Sequence, residues 1–289
     1  MSRPLRIEYP GALYHVTTRG NNGQIVFKDD SSRELFISVL KSMKNRYGLI
    51  IHSYCLMDNH YHLLVETCRP NLSEAMRQIN GIYTQGFNKK LNRTGHLFQG
   101  RYKAIICDKD EYFLALVRYI VRNPVGAGLV DDPSVYRWSS YHETTAGMTK
   151  DKHLTEPDLI LSCFSHDRDK AVKLFRSFVS DKKDETIWED LKAGFILGSD
   201  DFTLEVKDLI EKENRSQEII RKERYPVRLP LDEIFSDVSS LGDRNRQMAV
   251  AHEKHGYEIS RIAEHLNLHY STVSNILKNQ REKDKQQKT

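Results

Sequence analysis

Residues 57–66 read MDNHYHLLVE, with His60 and His62 two apart inside an apolar run. In a β-strand residues i and i+2 project from one face, so the two imidazoles stand side by side while Tyr61, Leu63 and Val65 form the other face. Neutral imidazole is a common metal ligand, and an adjacent pair can share one divalent cation. A plainer reading is two half-exposed strand histidines with no chemistry, the usual case for an arbitrary His-x-His. A zinc hydrolase normally supplies three protein ligands, and the His-Glu-x-x-His spacing of zincins is absent from the sequence. Farther on, ALVRYIVRNP sets Tyr119 and Asn123 four apart in a helical pattern, projecting from one side and off the centre of the apolar stripe Leu114, Val117, Ile120 and Val121. A phenol is a useful nucleophile only where its anion or the developing charge is stabilised. A divalent metal on His60, His62 and the Asn123 amide oxygen would polarise a phosphate while Tyr119 attacks it. Tyr112 shares this helix, but the residue four beyond it is Leu116, which offers no ligand; Tyr119 is therefore preferred.

These residues need elements to position them. GALYHVTTRG alternates as a strand and stops at Gly20, and DDSSRELFISVLKSMKNRYG follows as a helix ending at Gly48. LIIHSYCLMD and HYHLLVET read as two strands joined by a tight Asp-Asn turn. NLSEAMRQINGIYTQGFNKKLN is a second helix, LFQGRYKAIICD a fourth strand, and KDEYFLALVRYIVRN a third helix stopped by Pro124. Strand, helix, strand, strand, helix, strand, helix is the split βαβ order of a ferredoxin-like fold. The expected class is α+β: an antiparallel sheet with helices on one face, the histidines on the open face, then a helical middle region and a small helix-turn-helix domain. Arg19 and Asn21 in TTRGNNG, and Arg101 and Lys103 in HLFQGRYK, are candidate DNA contacts, with Phe98 or Tyr102 available to stack a base. For TTRGNNG an ordinary turn is an equal alternative.

The chain has 289 residues and a net charge of +4, unevenly spread: +7 over residues 1–150, −6 over 151–240 and +3 over 241–289. Two basic blocks around an acidic middle suit a polyanionic partner, whereas an acyl or sugar substrate would leave them unexplained. The four cysteines are scattered, with no Cys-x-x-Cys, as in a reducing, cytoplasmic compartment. No apolar run reaches the ~20 residues of a membrane span and the N-terminus has no signal-like apolar region. No Walker loop is present.

Expected boundaries are a catalytic domain at 1–150, an acidic, solvated helical spacer at 151–232 and a DNA-binding domain at 233–289. RYPVRLPLDE reads as an extended linker before the last. In the tail, NRQMAVAHEKHG, YEISRIAEHLNL and HYSTVSNILKN read as short helices, the last two forming a helix-turn-helix. Ser271, Thr272 and Asn275 open its second helix, where base edges are met, and QREKDKQQKT is expected to fray.

HYH, GHLFQGRYKAI, YIVRNPVGAGLV, YRWSSY and ILGSDDF together resemble the single-strand tyrosine transposases of the His-hydrophobic-His class, and within it the bacterial REP-associated type. The resemblance covers roughly the first two thirds of the chain. It implies a ferredoxin-like fold and Mg²⁺ or Mn²⁺ bound by His60 and His62 and completed by Asn123. It further implies attack by Tyr119 on single-stranded or hairpin DNA, giving a covalent 5′-phosphotyrosine and a free 3′-OH. The tail resembles instead the DNA-binding domain of the replication initiator DnaA, pointing to duplex DNA as a second partner. Residues 151–240 offer cover for a dimer surface, so a monomer is expected. A catalytically silent DNA-binding regulator derived from a transposase is the alternative; an RNA-binding sheet would need an aromatic strand motif that is absent.

Overall fold

The computed structural model describes residues 7–146, 153–181, 187–213, 229–236, 238 and 240–286. The first six residues of the N-terminus and 224–228 of the expected linker lie outside them. The segments read as strands form β1 (Ala12–Arg19), β2 (Leu49–Met57), β3 (His60–Thr67) and β4 (Lys103–Cys107), all antiparallel, in the order β2-β3-β1-β4; the fourth is shorter than expected, since Leu97–Tyr102 form a loop before it. Two-residue strands β5 (Leu191–Lys192) and β6 (Ile196–Leu197) extend that order beyond β4 as β6-β5. Helix α1 (Asp30–Tyr47) opens with a capping box between Asp29 and Ser32, and ends at Gly48, whose φ of 64° is strained for a residue with a Cβ. Helix α2 (Leu72–Lys90) and helix α3 (Lys109–Gly126) complete the expected order, so the α+β class holds.

The distribution of helices differs from expectation. Phe36 of α1 packs on Tyr61 with ring centroids 4.6 Å apart, and the Tyr61 hydroxyl donates to Asn80 Oδ1 of α2 at 2.6 Å, so α1 and α2 cover the Tyr61 face. Helix α3 covers the opposite face: Phe113, Leu116, Val117 and Ile120 share a core with Leu13, Cys55 and Leu64. The histidine face is therefore roofed, not open. The cause is in the strands, which carry apolar residues on both sides and need cover on both. Pro124 does not end α3 either. It lies inside the last turn, and the Ala127 amide still donates to the Asn123 carbonyl at 2.9 Å.

The middle region is not a solvated spacer. Helices α4 (Tyr141–Thr145), α5 (Pro157–Ser162) and α6 (Arg168–Ser180) bury Tyr141, Ile160, Leu161, Phe175 and Val179 in the same core as α3. Just before α4 the chain runs along β2: Leu56 N–H donates to Trp138 O at 2.9 Å, and Ser140 N–H to Tyr54 O at 3.0 Å. Beyond α4, Glu156 N–H donates to Ile51 O at 3.1 Å. The chain thus divides into a unit running to Leu191 with Leu197–Ser199, and a second holding Lys192–Ile196 and the described residues from Asp200 on, so that 153–181 and 187–191 of the expected spacer belong with the first.

In the second unit, α7 (Asp200–Glu213) is followed by helices at Leu231–Ile234, Leu241–Glu253, Ile259–His265 and Tyr270–Gln286. The last four share a small core of Ile234, Met248, Ala251, Ile262, Ala263, Val273 and Leu277. Leu231–Ile234 is helical where an extended linker is expected, and the final helix continues to Gln286 through residues expected to fray. Among the described residues no helix is long and apolar enough to cross a membrane.

Candidate active site

The sheet register assembles the site. Arg19 lies opposite His60, Thr17 opposite both His62 and Lys103, and His15 opposite Leu64. Facing residues of an antiparallel pair project from the same side, so Arg19, Thr17, His15 and Lys103 share the histidine face. Helix α3 crosses that face and brings Tyr119 to it. The Tyr119 ring stands edge-on to His62 at 5.8 Å, to His15 at 5.8 Å and to Trp188 at 5.0 Å between centroids. Tyr119 is half-buried, as its position off the apolar stripe requires.

His60 and His62 have ring centroids 4.9 Å apart. His60 is fixed by Nδ1 to Asn59 Oδ1 at 2.6 Å, and His62 by Nδ1 to His15 Nε2 at 2.9 Å. His62 and His15 are 5% and 3% exposed. Burial pushes His15 down to about 4; it also holds His62 well below the ordinary histidine range, helped by His15 and His60. His60 is lowered by burial and by the Arg19 charge. All three imidazoles are thus neutral at neutral pH, the form that ligates a cation. His62 Nε2 is buried with no hydrogen-bond partner, an orphan atom a cation would satisfy. Among the described residues no three His, Cys, Asp or Glu side chains are grouped to hold a metal. The donors present fit a two-histidine site completed by an amide, water or substrate. Asn123 is anchored by Nδ2 to the Tyr119 carbonyl at 2.9 Å, a bond that does not engage its Oδ1.

Arg19, Asn21, Arg101 and Lys103 are all exposed. The loops bearing them are tied together: Asn21 N–H donates to Leu97 O and Gln99 N–H to Arg19 O, both at 2.9 Å. A Cβ on Gly20 would come within 2.1 Å of the Gln24 carbonyl oxygen. Gly20→Ala is therefore expected to push loop 21–24 aside at about 1–3 kcal/mol of stability, read as a lower melting temperature together with weaker hairpin-DNA binding in a filter assay. Phe98 and Tyr102 are not free to stack a base. Phe98 packs on Tyr61 and Tyr83, and the buried Tyr102 lies 3.2 Å from Ser73 Oγ through its hydroxyl. The Tyr112 hydroxyl donates to Asp190 Oδ2 at 2.8 Å, so of the two helix tyrosines only Tyr119 packs against the histidines. In the second unit Ser271, Thr272 and Asn275 are exposed on the final helix while Val273 and Leu277 face its core.

Two members of the cluster escape sequence reasoning. His15 is an ordinary alternating strand residue until the β1–β3 register is known. Trp188, whose ring is 5.3 Å from His15, comes from far along the chain with no local signal.

The site now meets the known proteins. Residues 9–123 match the family model described as transposase IS200 like. This IS200-like region is less than half of the chain, yet it contains His15, His60, His62, Tyr119 and Asn123. The match supports a transposase function for it, in agreement with the resemblance noted above. The tail lies outside it. No curated protein matches the chain. Among solved structures, a REP-associated tyrosine transposase bound to a REP hairpin shares 19% identity over 51% of this chain and 87% of its own, with a TM-score of 0.46. A protein of Deinococcus radiodurans R1 provisionally described as a transposase shares 16% over 42% of this chain and 96% of its own, with a TM-score of 0.31. The Saccharomyces cerevisiae tRNA(His) guanylyltransferase shares 12% over 69% and 87%, with a TM-score of 0.29.

Proposed function

We propose that the chain is a transposase that nicks and rejoins single-stranded DNA through Tyr119, using Mg²⁺ or Mn²⁺ held by His60, His62 and Asn123. The observation that carries this reading is the Tyr119 ring set against His62 on a sheet face that also bears Arg19 and Lys103. Arg19 and Lys103 draw the phosphate backbone onto that face, with Asn21 and Arg101 along its rim. Tyr119 Oη forms a bond to phosphorus as the bond to the 3′ oxygen breaks, and the proton lost by the phenol is balanced by the one gained at the 3′-OH. The product is a 5′-phosphotyrosine, which keeps the energy of the phosphodiester, so rejoining needs no nucleotide cofactor. A cation bound by the neutral imidazoles would supply Lewis-acid polarisation of the phosphate oxygens. The edge-on packing of Trp188 and His15 limits the rotamers of the Tyr119 ring.

Single-stranded or hairpin DNA is the substrate, as the resemblance implies, and the protein acts as a cytoplasmic monomer. The tail is a helix-turn-helix that reads duplex DNA through Ser271, Thr272 and Asn275. Ser271→Ala with Asn275→Ala is expected to weaken duplex binding about tenfold, the scale of one lost base contact, with the nicking rate unchanged; fluorescence anisotropy beside a nicking assay checks this.

The test of the enzyme reading is a labelled single-stranded hairpin incubated with the protein and Mg²⁺ or Mn²⁺, then denatured in SDS. A covalent adduct that EDTA prevents supports it. Tight hairpin binding without an adduct under any metal would replace it with the silent regulator.

A further inference from the structure

We infer that His15 is a positioning residue that selects the metal-binding tautomer of His62; this rests on the metal-dependent reading above. The two imidazoles are joined by one hydrogen bond, His15 Nε2 to His62 Nδ1 at 2.9 Å, with their planes 4° from parallel. One shared proton occupies that contact, and either ring can own it. The two remaining nitrogens, His15 Nδ1 and His62 Nε2, are both buried and lack hydrogen-bond partners.

The tautomers are therefore locked together. If His15 Nε2 carries the proton, His62 accepts at Nδ1, its own proton sits on Nε2, and that nitrogen has no lone pair to offer. If His62 carries the proton at Nδ1, Nε2 presents its lone pair, and the His15 proton moves to Nδ1. A cation at His62 Nε2 selects the second arrangement, and an acceptor at the His15 position satisfies the Nδ1–H that it leaves buried. A ligating histidine commonly donates its other N–H to a carboxylate, a carbonyl or water; here a neutral imidazole fills that place. His60 is held differently, by the amide oxygen of its neighbour Asn59, so the two imidazoles of the pair are oriented by separate acceptors. The edge-on contact of His15 with Tyr119 at 5.8 Å ties the same ring to the helix that carries the phenol.

The test reads metal binding in the absence of DNA. The Mn²⁺ affinity of the full chain is measured by electron paramagnetic resonance for wild type, His15→Leu, His15→Gln and His60→Ala, with melting temperatures taken in EDTA. His15→Leu is expected to weaken Mn²⁺ roughly 10- to 100-fold, the usual loss when the group behind a metal-binding histidine is removed. His15→Gln supplies an acceptor oxygen and is expected to recover most of that loss, although it is no better packed. Nitrogen-15 shifts of the His62 ring in Mg²⁺-loaded wild type should show Nδ1 protonated, which requires no variant to fold. Equal Mn²⁺ affinity in wild type, His15→Leu and His15→Gln, with affinity lost in His60→Ala, would overturn the role of His15 and leave the metal site standing. Wild type and His60→Ala binding Mn²⁺ equally weakly would overturn both.

Discussion

Tyr119→Phe is expected to leave the fold and hairpin binding intact and to lower covalent adduct formation at least ~1000-fold, as loss of a sole nucleophile does. The substitution removes one oxygen and no ring. The edge-on contacts with Trp188 at 5.0 Å, His62 and His15 at 5.8 Å are made by the ring and persist. Stability should therefore shift by no more than about 1 kcal/mol, the net worth of an ordinary hydrogen bond. Tyr112→Phe is the matched control. It breaks the bond to Asp190 and lowers stability by a similar amount, but its hydroxyl is committed elsewhere and adduct formation should survive. Quantifying SDS-resistant adduct for both variants separates the roles, and an adduct kept in Tyr119→Phe but lost in Tyr112→Phe would transfer the nucleophile to Tyr112.

The second large effect concerns a residue far from the histidines. Phe175 is fully buried between Tyr141 and Phe164, both 6.0 Å away, in the core that α3 shares with α6. Phe175→Ala leaves a cavity and is expected to destabilise the first unit by about 3–5 kcal/mol, roughly 10 °C in melting temperature for a domain of this size. Leu174→Ala, on the exposed side of the same helix, should change it little. Because α3 carries Tyr119, the loss reaches the candidate site, and a chain cut at residue 150 is expected to aggregate and to form no covalent adduct. Thermal melts of the two variants decide the matter, and a Phe175→Ala curve that overlays wild type would restore the picture of a dispensable spacer.

Much of this was legible in the residues themselves. Period-two alternation marked β1, short apolar runs between turn residues marked the other strands, and the i, i+2 spacing put His60 and His62 together before any register was known. The off-stripe position of Tyr119, with Asn123 four residues on, made it the candidate over Tyr112, and its ring does lie against His62. The helices on both faces were also foreshadowed: LIIHSYCLM is apolar on both sides, the pattern of a strand covered twice. The expectation of an open face weighed the histidines more heavily than Leu64, Leu13 and Cys55 beside them. Pro124 was read as a stop because its missing amide removes one bond, but a last turn can tolerate that when, as here, the proline is itself buried. His15 and Trp188 were beyond local reasoning, since each joins the site through pairing or packing between distant segments.

The run of chain beside β2 has a consequence for assembly. A sheet that ends in unpaired backbone groups is a template for another strand, including the same strand in a neighbouring molecule. Here the amide of Leu56 and the carbonyls of Ile51 and Tyr54 are already engaged by residues 138, 156 and 140 of the same chain. Two molecules cannot fuse their sheets along this border without first peeling that strap away. The protein can therefore be concentrated without its sheet seeding fibrous growth from that side.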